Sequence, residues 1–183
     1  MAKSIKRNYI YNLSYQIFSI IAPFITSPYI ARVLGPENAG IFSFISTYVF
    51  YFVLFGRLSI DLYGTRELSY VKDDITKKSE IFWNLALLNF LNLLIAIGIY
   101  LAWFFIYRPD NGLFYIVSLL TIVSGMLDIT WLFSAHEDFG MIALRNFIVR
   151  IISIVLLFVF VRSSDDLLNY FLINLITPLV INV

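Results

Sequence analysis

Long runs without a charged residue divide this sequence. The charge-free runs cover residues 8–31, 38–56, 81–107, 111–127 and 167–183. A helix that crosses a hydrocarbon core about 30 Å thick needs roughly 20 apolar residues. Several of the runs reach that length, so the pattern predicts a multi-pass membrane protein. The predicted fold class is an all-α, polytopic membrane helix bundle.

Charged and turn-forming residues between the runs mark the ends of the spans. The segment from Arg108 to Gly112, for example, contains Pro, Asp and Asn and is typical of a turn. We predict one transmembrane domain over residues 1–183. Its six spans are predicted at about 9–33, 40–62, 81–107, 113–134, 141–162 and 167–183. Because the last run gives only about 25 Å of helix, we expect a piece of a longer protein or a gene that is cut short.

The polar segment 64–80 after the second span has a different pattern. Leu68, Val71 and Ile75 recur at helical spacing, and charged residues flank them. Such an arrangement is typical of an amphipathic helix that lies on a membrane surface. We predict that this segment anchors the protein at the cytoplasmic surface, with contact to anionic lipid headgroups as the alternative.

The distribution of Lys and Arg over the loops predicts the orientation. Eight of these residues lie at the amino terminus and in the even-numbered loops, and three lie in the odd-numbered loops. Since loops rich in Lys and Arg stay in the cytoplasm, the amino terminus is predicted to be cytoplasmic.

Composition excludes several other classes of protein. The hydrophobic share is 60% and the charged share 14%, with a mean hydropathy of +0.84, which does not fit a soluble domain. The absence of cysteine excludes thiolate metal sites, His136 is the one histidine, and the net charge of +1 gives no nucleic-acid footprint. Nucleotide-binding and hydrolase motifs are missing. We therefore expect no enzyme activity, no metal and no cofactor.

Polar side chains inside the spans mark helix faces that are hidden from lipid. In the first span, positions on one helical stripe recur every three or four residues: Asn8, Asn12, Gln16, Ser19, Pro23 and Thr26. Pro23 and Pro28 also break backbone hydrogen bonds. A water-filled cavity wall and helix packing both explain this stripe. The fourth span carries a second stripe of Thr121, Ser124, Asp128 and Trp131, and Asn89 and Asn92 share a face of the third.

Charged residues inside the spans are the strongest candidates for function. Arg57 and Asp61 are four residues apart, so an ion pair within one helix is possible. Arg145 and Arg150 lie about 140° apart around a helix, and we expect the deeper Arg150 to face the interior. Asp128 could pair with Arg150 or Arg145.

Four motifs, in order along the chain, resemble segments of the Wzx-type polysaccharide flippases. They are LGPENAGIFSF at 34–44, YGTREL at 63–68, DITWLF at 128–133 (continuing to Glu137 and Phe139), and RNFIVR at 145–150. Ala135 stands where that family is expected to have Gly. The resemblance covers essentially the whole chain and implies the multidrug/oligosaccharidyl-lipid/polysaccharide exporter superfamily, whose members have two lobes of six helices around a central cavity.

The resemblance implies that the chain is the first lobe of a transporter that moves undecaprenyl-diphosphate-linked oligosaccharide across the cytoplasmic (inner) membrane of a bacterium. Its implied partners are this lipid-linked substrate, membrane lipids, the missing second lobe and the polysaccharide polymerase machinery. From polarity alone, the candidate contacts to diphosphate or sugar are Arg57, Arg150, Asn12, Gln16 and Asp128. A cation-coupled exporter of small molecules and a truncated membrane protein without transport activity are the alternatives.

Overall fold

A computed structural model describes the backbone of residues 5–71, 74–135 and 139–182, and the side chains in these ranges outside 5–12, 133–135 and 139–142. The described residues form α-helices joined by short turns. The helices are α1 (Ile5–Val33), α2 (Gly35–Arg57), α3 (Ile60–Tyr70), α4 (Ile75–Tyr107), α5 (Gly112–Met126), α6 (Thr130–Ala135), α7 (Phe139–Phe160) and α8 (Leu167–Asn182). A 3-10 turn, Ser164–Asp166, precedes α8. The prediction of an all-α class is confirmed.

Four helical stretches among the described residues are long and apolar enough to cross a membrane. They are Gly35–Tyr70, Ile75–Tyr107, Gly112–Leu132 and Ala143–Phe160. These stretches correspond to the second, third, fourth and fifth predicted spans, so the prediction of a polytopic membrane protein is confirmed. The first and sixth predicted spans are the helices α1 and α8. Six spans in one domain, and the cytoplasmic amino terminus, stay predictions.

The chain divides into two compact units. The first contains the described residues 5–44 and 139–181, and the second contains the described residues 45–71, 74–135 and 182. In the first unit, α1 packs along α7. The Phe18 and Phe147 rings meet edge to face at 4.8 Å between centroids, and the Tyr29 hydroxyl donates to the Val161 carbonyl at 2.8 Å. The tyrosine therefore satisfies a carbonyl at the end of α7, where the helix leaves it without an internal donor.

The core of the second unit lies between α2, α4 and α5. Val49, Leu93 and Ile122 are fully buried, one on each of these helices. Tyr100 is also buried, and its hydroxyl donates to the Tyr115 carbonyl at 2.8 Å. A buried hydroxyl needs such a partner because its desolvation is otherwise uncompensated. The apolar packing and this hydrogen bond together join α4 to α5.

Two membrane-length stretches of the second unit are interrupted, which the sequence did not predict. α2 ends at Arg57, and Leu58 and Ser59 have positive φ angles of 45° and 63° before α3 begins. α5 ends at Met126, and three residues separate it from α6. A left-handed conformation costs an L-residue roughly 1–2 kcal/mol. The surrounding contacts must therefore hold the first break in place.

The segment 64–80, predicted as one amphipathic helix, is divided between two helices. α3 ends at Tyr70, and α4 begins at Ile75 with Asp74 as its N-cap, whose side chain accepts from the Lys77 N–H at 3.0 Å. Leu68 is buried in a cluster with Leu85 and Trp131, while Ile75 is 82% exposed. The predicted apolar stripe is thus split, and α3 uses its part to pack on α4 and α6.

Candidate functional site

A cluster of three charged side chains joins the two helix breaks. Arg57, the last residue of α2, donates through Nη1 to Asp128 and through Nη2 to Asp61. The side chains of Arg57 and Asp128 are 13% and 14% exposed, whereas that of Asp61 is 55% exposed. The cluster therefore has a shielded half and an open half.

Helix polarity suits this arrangement. Arg57 lies in the last turn of α2 and Asp61 in the first turn of α3. A helix dipole favours a cation at the carboxyl end and an anion at the amino end. The break between the two helices therefore creates two favourable charge positions that a continuous helix would not provide.

The second break holds the Asp128 carboxylate in place. Asp128 lies between α5 and α6, and its Oδ1 accepts from the Thr130 N–H at 2.9 Å while its Oδ2 faces Arg57. The break also leaves the Gly125 and Met126 carbonyls at the end of α5. The Nδ2 of the buried Asn89 on α4 lies 3.0 Å from the first of these oxygens and 3.4 Å from the second. Because lipid cannot satisfy such groups, Asn89 makes the break tolerable.

Close packing of α3 on α6 brings the two aspartates to the same guanidinium. Gly64 on α3 faces Trp131 on α6, and a Cβ on this glycine would lie 2.6 Å from the indole Cε3. Thr65 donates to the Trp131 carbonyl at 3.3 Å, and the indole stacks on Phe82 at 5.6 Å between ring centroids. This docking places Asp61 and Asp128 on either side of one guanidinium.

The formal charges of the three side chains in the cluster do not cancel. One guanidinium and two carboxylates leave a formal charge of −1. The Nε of Arg57 is buried and has no hydrogen-bond partner among the described residues. A guanidinium has five N–H donors in a rigid fork, so Arg57 keeps donor capacity beyond the two carboxylates.

A groove of about 490 Å³ lies beside the cluster, between α2 and α4. Its walls are Tyr48, Tyr51, Phe52, Phe55, Gly56, Leu58, Asn92, Ile95, Ala96 and Ile99. Gly56 packs so closely on α4 that a Cβ there would lie 2.6 Å from Leu93 Cδ2. The walls are nearly all apolar, and the Nδ2 of Asn92 is buried without a partner among the described residues. The groove suits hydrocarbon rather than sugar. The charged cluster of Arg57, Asp61 and Asp128 lies instead at the helix breaks.

The structure places the candidate residues in two groups. Arg57 and Asp128 meet in the second unit. Asn12 and Gln16 on α1, and Arg150 on α7, belong to the first unit. The side chain of Asn12 lies outside the described residues, Gln16 is exposed, and Arg150 is partly buried with an electrostatic interaction with Tyr170.

The sequence predicted ion pairs at Asp61 and at Asp128. The pair between Arg57 and Asp61 is present. The partner that the structure gives to Asp128 is Arg57, where the sequence suggested Arg145 or Arg150. Arg145 donates instead to the Ile181 carbonyl near the end of α8. A basic side chain there satisfies a terminal carbonyl and complements the helix dipole.

Fold and site define a multi-pass, all-α membrane protein with a charged cluster where two of its membrane-length stretches break. The chain matches the family described as "Polysaccharide biosynthesis protein" over residues 5–182, and it therefore belongs to that family. The family resemblance found in the sequence motifs is thereby confirmed.

A curated relative supports this assignment. The chain is 28% identical over 167 residues to the "Putative O-antigen transporter" of Escherichia coli (strain K12). The match covers 90% of this chain and 40% of the relative, so the chain spans less than half of that protein's length. No solved structure matches the chain.

Proposed function

We propose that this chain is part of a flippase that moves undecaprenyl-diphosphate-linked oligosaccharide across the bacterial cytoplasmic membrane for surface polysaccharide synthesis. The observation that carries the proposal is Arg57, a shielded cation at the break of a membrane-length stretch. Membership of a polysaccharide biosynthesis family, and similarity to a protein named as an O-antigen transporter, support it. The amino terminus lies in the cytoplasm, and a second lobe completes the transporter.

The chemistry of the substrate explains the need for such a cluster. A diphosphate-sugar headgroup cannot enter hydrocarbon unshielded, because burying an unpaired charge is costly. Guanidinium groups offer charge-assisted, bidentate hydrogen bonds to phosphate. In the second unit, Arg57 is the proposed contact to the diphosphate, and Asp128 orients it. In the first unit, Arg150, Asn12 and Gln16 are the further candidates for contact to diphosphate or sugar. The polyprenyl tail stays in the lipid while the protein alternates between inward-open and outward-open states.

The test is export of surface polysaccharide by the complete gene product. Arg57→Ala combined with Arg150→Ala is expected to reduce export at least tenfold, measured by immunoblot of surface glycan in a strain that lacks the native gene. The matched control is Arg108→Ala combined with Arg162→Ala, which removes two exposed arginines. Normal export by the first double variant, at equal protein level in the membrane, would exclude the proposed arginine site.

The formal charge of −1 on the cluster favours a second candidate function, export of small molecules coupled to a cation. Binding of one further cation would neutralise two carboxylates and one guanidinium. Ion-dependent drug efflux, together with unchanged surface glycan on deletion of the gene, would establish this alternative. A membrane protein without transport activity would affect neither drug efflux nor surface polysaccharide.

A tight association of the protein with the polysaccharide polymerase machinery would support the flippase function.

A further inference from the structure

We infer that Asp61 is a displaceable counter-ion of Arg57, whose place at the guanidinium is taken by the anionic headgroup of the substrate. This inference rests on the proposed function, since it assumes that a phosphate reaches Arg57. It gives Asp61 a role in setting affinity for the diphosphate. Asp128 then acts as a positioning residue that keeps Arg57 in place throughout.

The two carboxylates are held very differently. Asp128 is shielded and also accepts the Thr130 N–H at 2.9 Å, so it would have to give up two partners to leave. Asp61 is 55% exposed and contacts Arg57 across the two left-handed residues of the break. Exposed ion pairs contribute about 0–1 kcal/mol. Asp61 is therefore the carboxylate that an incoming anion replaces at the lower cost.

A displaced Asp61 still has a favourable environment. It lies in the first turn of α3, where the helix dipole stabilises a carboxylate, and its exposure leaves it accessible to water. The carboxylate can return to Arg57 because the two residues are only four positions apart in the chain. Displacement and return therefore involve the side chain without requiring α3 to move.

Displacement of Asp61 makes the charge around Arg57 less negative, which favours binding of an anion. With both carboxylates paired to Arg57, the cluster has a formal charge of −1 and repels a phosphate. Once Asp61 has moved away, Arg57 and Asp128 form a neutral pair. The Nη2 that Asp61 releases is then the donor available to a phosphate oxygen. The Nε on the same edge of the guanidinium is buried and has no partner among the described residues, so a bidentate contact requires the Arg57 side chain to shift. Asp61 thus competes with the headgroup for one edge of Arg57.

Competition of this kind also assists release. When the headgroup leaves, Asp61 returns and restores the paired state of Arg57. Loss of its negative charge is therefore expected to tighten binding of an anion and to slow its dissociation. A merely structural ion pair would predict the opposite, because its loss would leave Arg57 less well positioned.

The experiment measures the dissociation constant of inorganic diphosphate for the complete gene product in lipid nanodiscs. Asp61→Asn is expected to lower this constant about two- to fivefold, the factor that corresponds to about 0.4–1 kcal/mol of competition. Asp61→Glu, which keeps the negative charge, is expected to have the wild-type dissociation constant. The matched control is Glu67→Gln, which removes the same charge from α3 beside Arg66 and is expected to change nothing.

Two results would decide against the inference. If Asp61→Asn binds diphosphate with equal or lower affinity while Arg57→Gln abolishes binding, Arg57 is a site but Asp61 does not compete for it. If Arg57→Gln leaves diphosphate binding unchanged, the proposed arginine site itself is wrong. A thermal unfolding scan of each variant, showing a cooperative transition with a midpoint above the assay temperature, confirms that the comparison is made on folded protein.

Discussion

Arg57 and Asp128, 71 positions apart in the chain, pair across the ends of two helices that both break inside membrane-length stretches. Each break would be costly alone, because it frees backbone groups and, at Leu58 and Ser59, uses left-handed backbone. The ion pair links the end of α2 to the break between α5 and α6. The candidate site therefore depends on the two interruptions of the helical backbone as well as on the charged side chains.

Removing one member of this pair is expected to destabilise the second unit. Arg57→Leu leaves Asp128 shielded and uncompensated, at a cost of about 3 kcal/mol in the free energy of unfolding. The double variant Arg57→Leu/Asp128→Leu is expected to be more stable than Arg57→Leu. Denaturation in mixed micelles, followed by tryptophan fluorescence, measures both. Arg66→Leu is the control, since its exposed pair with Glu67 contributes less than about 1 kcal/mol. Equal losses at positions 57 and 66 would contradict the prediction.

Gly64 is expected to tolerate no side chain. Its added Cβ would lie 2.6 Å from the buried Trp131 ring, so Gly64→Ala should cost about 1–3 kcal/mol by overpacking. Gly98→Ala is the matched control on α4, because a Cβ there meets no atom within 4 Å. That variant should be neutral or more stable by about 0.5–1 kcal/mol, from the loss of glycine's backbone freedom. A Gly64→Ala protein as stable as Gly98→Ala would show that α3 does not dock closely on α6.

Asn89 is expected to be needed for the end of α5. Asn89→Leu removes the donor to the Gly125 and Met126 carbonyls and should cost about 1–2 kcal/mol in the free energy of unfolding. Asn84→Leu, at an exposed position of the same helix, should change stability by no more than about 0.5 kcal/mol. Hydrogen exchange at residues 127–132 provides a second measurement. Unchanged exchange in Asn89→Leu would argue that these carbonyls have other donors.

The turn before α8 predicts a dependence on pH. The pKa of Asp166 is lowered, chiefly because its carboxylate accepts the Arg162 backbone N–H at 3.0 Å, and further by bonds from Ser163. A carboxyl whose pKa is lower in the folded protein stabilises it above its unfolded pKa of about 3.9. This stabilisation is lost as the pH falls below that value through the folded pKa.

We expect Asp166→Asn to flatten the pH profile of the thermal midpoint below about pH 4. Scans between pH 3 and pH 6 compare it with wild type. Asp165→Asn, which changes the neighbouring exposed carboxyl, serves as the control and should keep the wild-type profile. If Asp166→Asn keeps that profile and Asp165→Asn loses it, the capping role has been assigned to the wrong residue.

Orientation is directly testable because the chain contains no cysteine. A thiol at position 69, in α3, is predicted to be cytoplasmic and should not react with a membrane-impermeant reagent in intact cells. One at position 111, between α4 and α5, should react. Both should react after permeabilisation, which controls for accessibility. The reverse pattern in intact cells would overturn the orientation inferred from Lys and Arg.

Much of the fold follows from local properties of the sequence. The predicted second to fifth spans correspond to membrane-length helical stretches, and the turn at Arg108 to Gly112 separates α4 from α5. The ion pair of Arg57 with Asp61 was visible from a spacing of four residues. The two breaks were not visible, because neither contains a proline and the flanking residues keep the hydropathy high.

The segment 64–80 shows where local pattern reasoning fails. Its apolar spacing indicated one surface helix, yet Leu68 lies in a core with Leu85 and Trp131. Helical periodicity shows that a residue has a preferred face but does not identify what covers that face. Here α3 packs against α4 and α6, and Ile75 belongs to a separate helix, α4.

The sequence alone determined the all-helical, membrane-spanning class and the family, because transfer free energy and motif identity depend only on residues that are close along the chain. Tertiary structure alone decided that Asp128 meets Arg57, that Asn89 satisfies the end of α5, and that Gly64 receives Trp131. These contacts join residues from 36 to 71 positions apart. Their formation depends on how the helices pack, and hydropathy along the chain contains no information about which helix faces which.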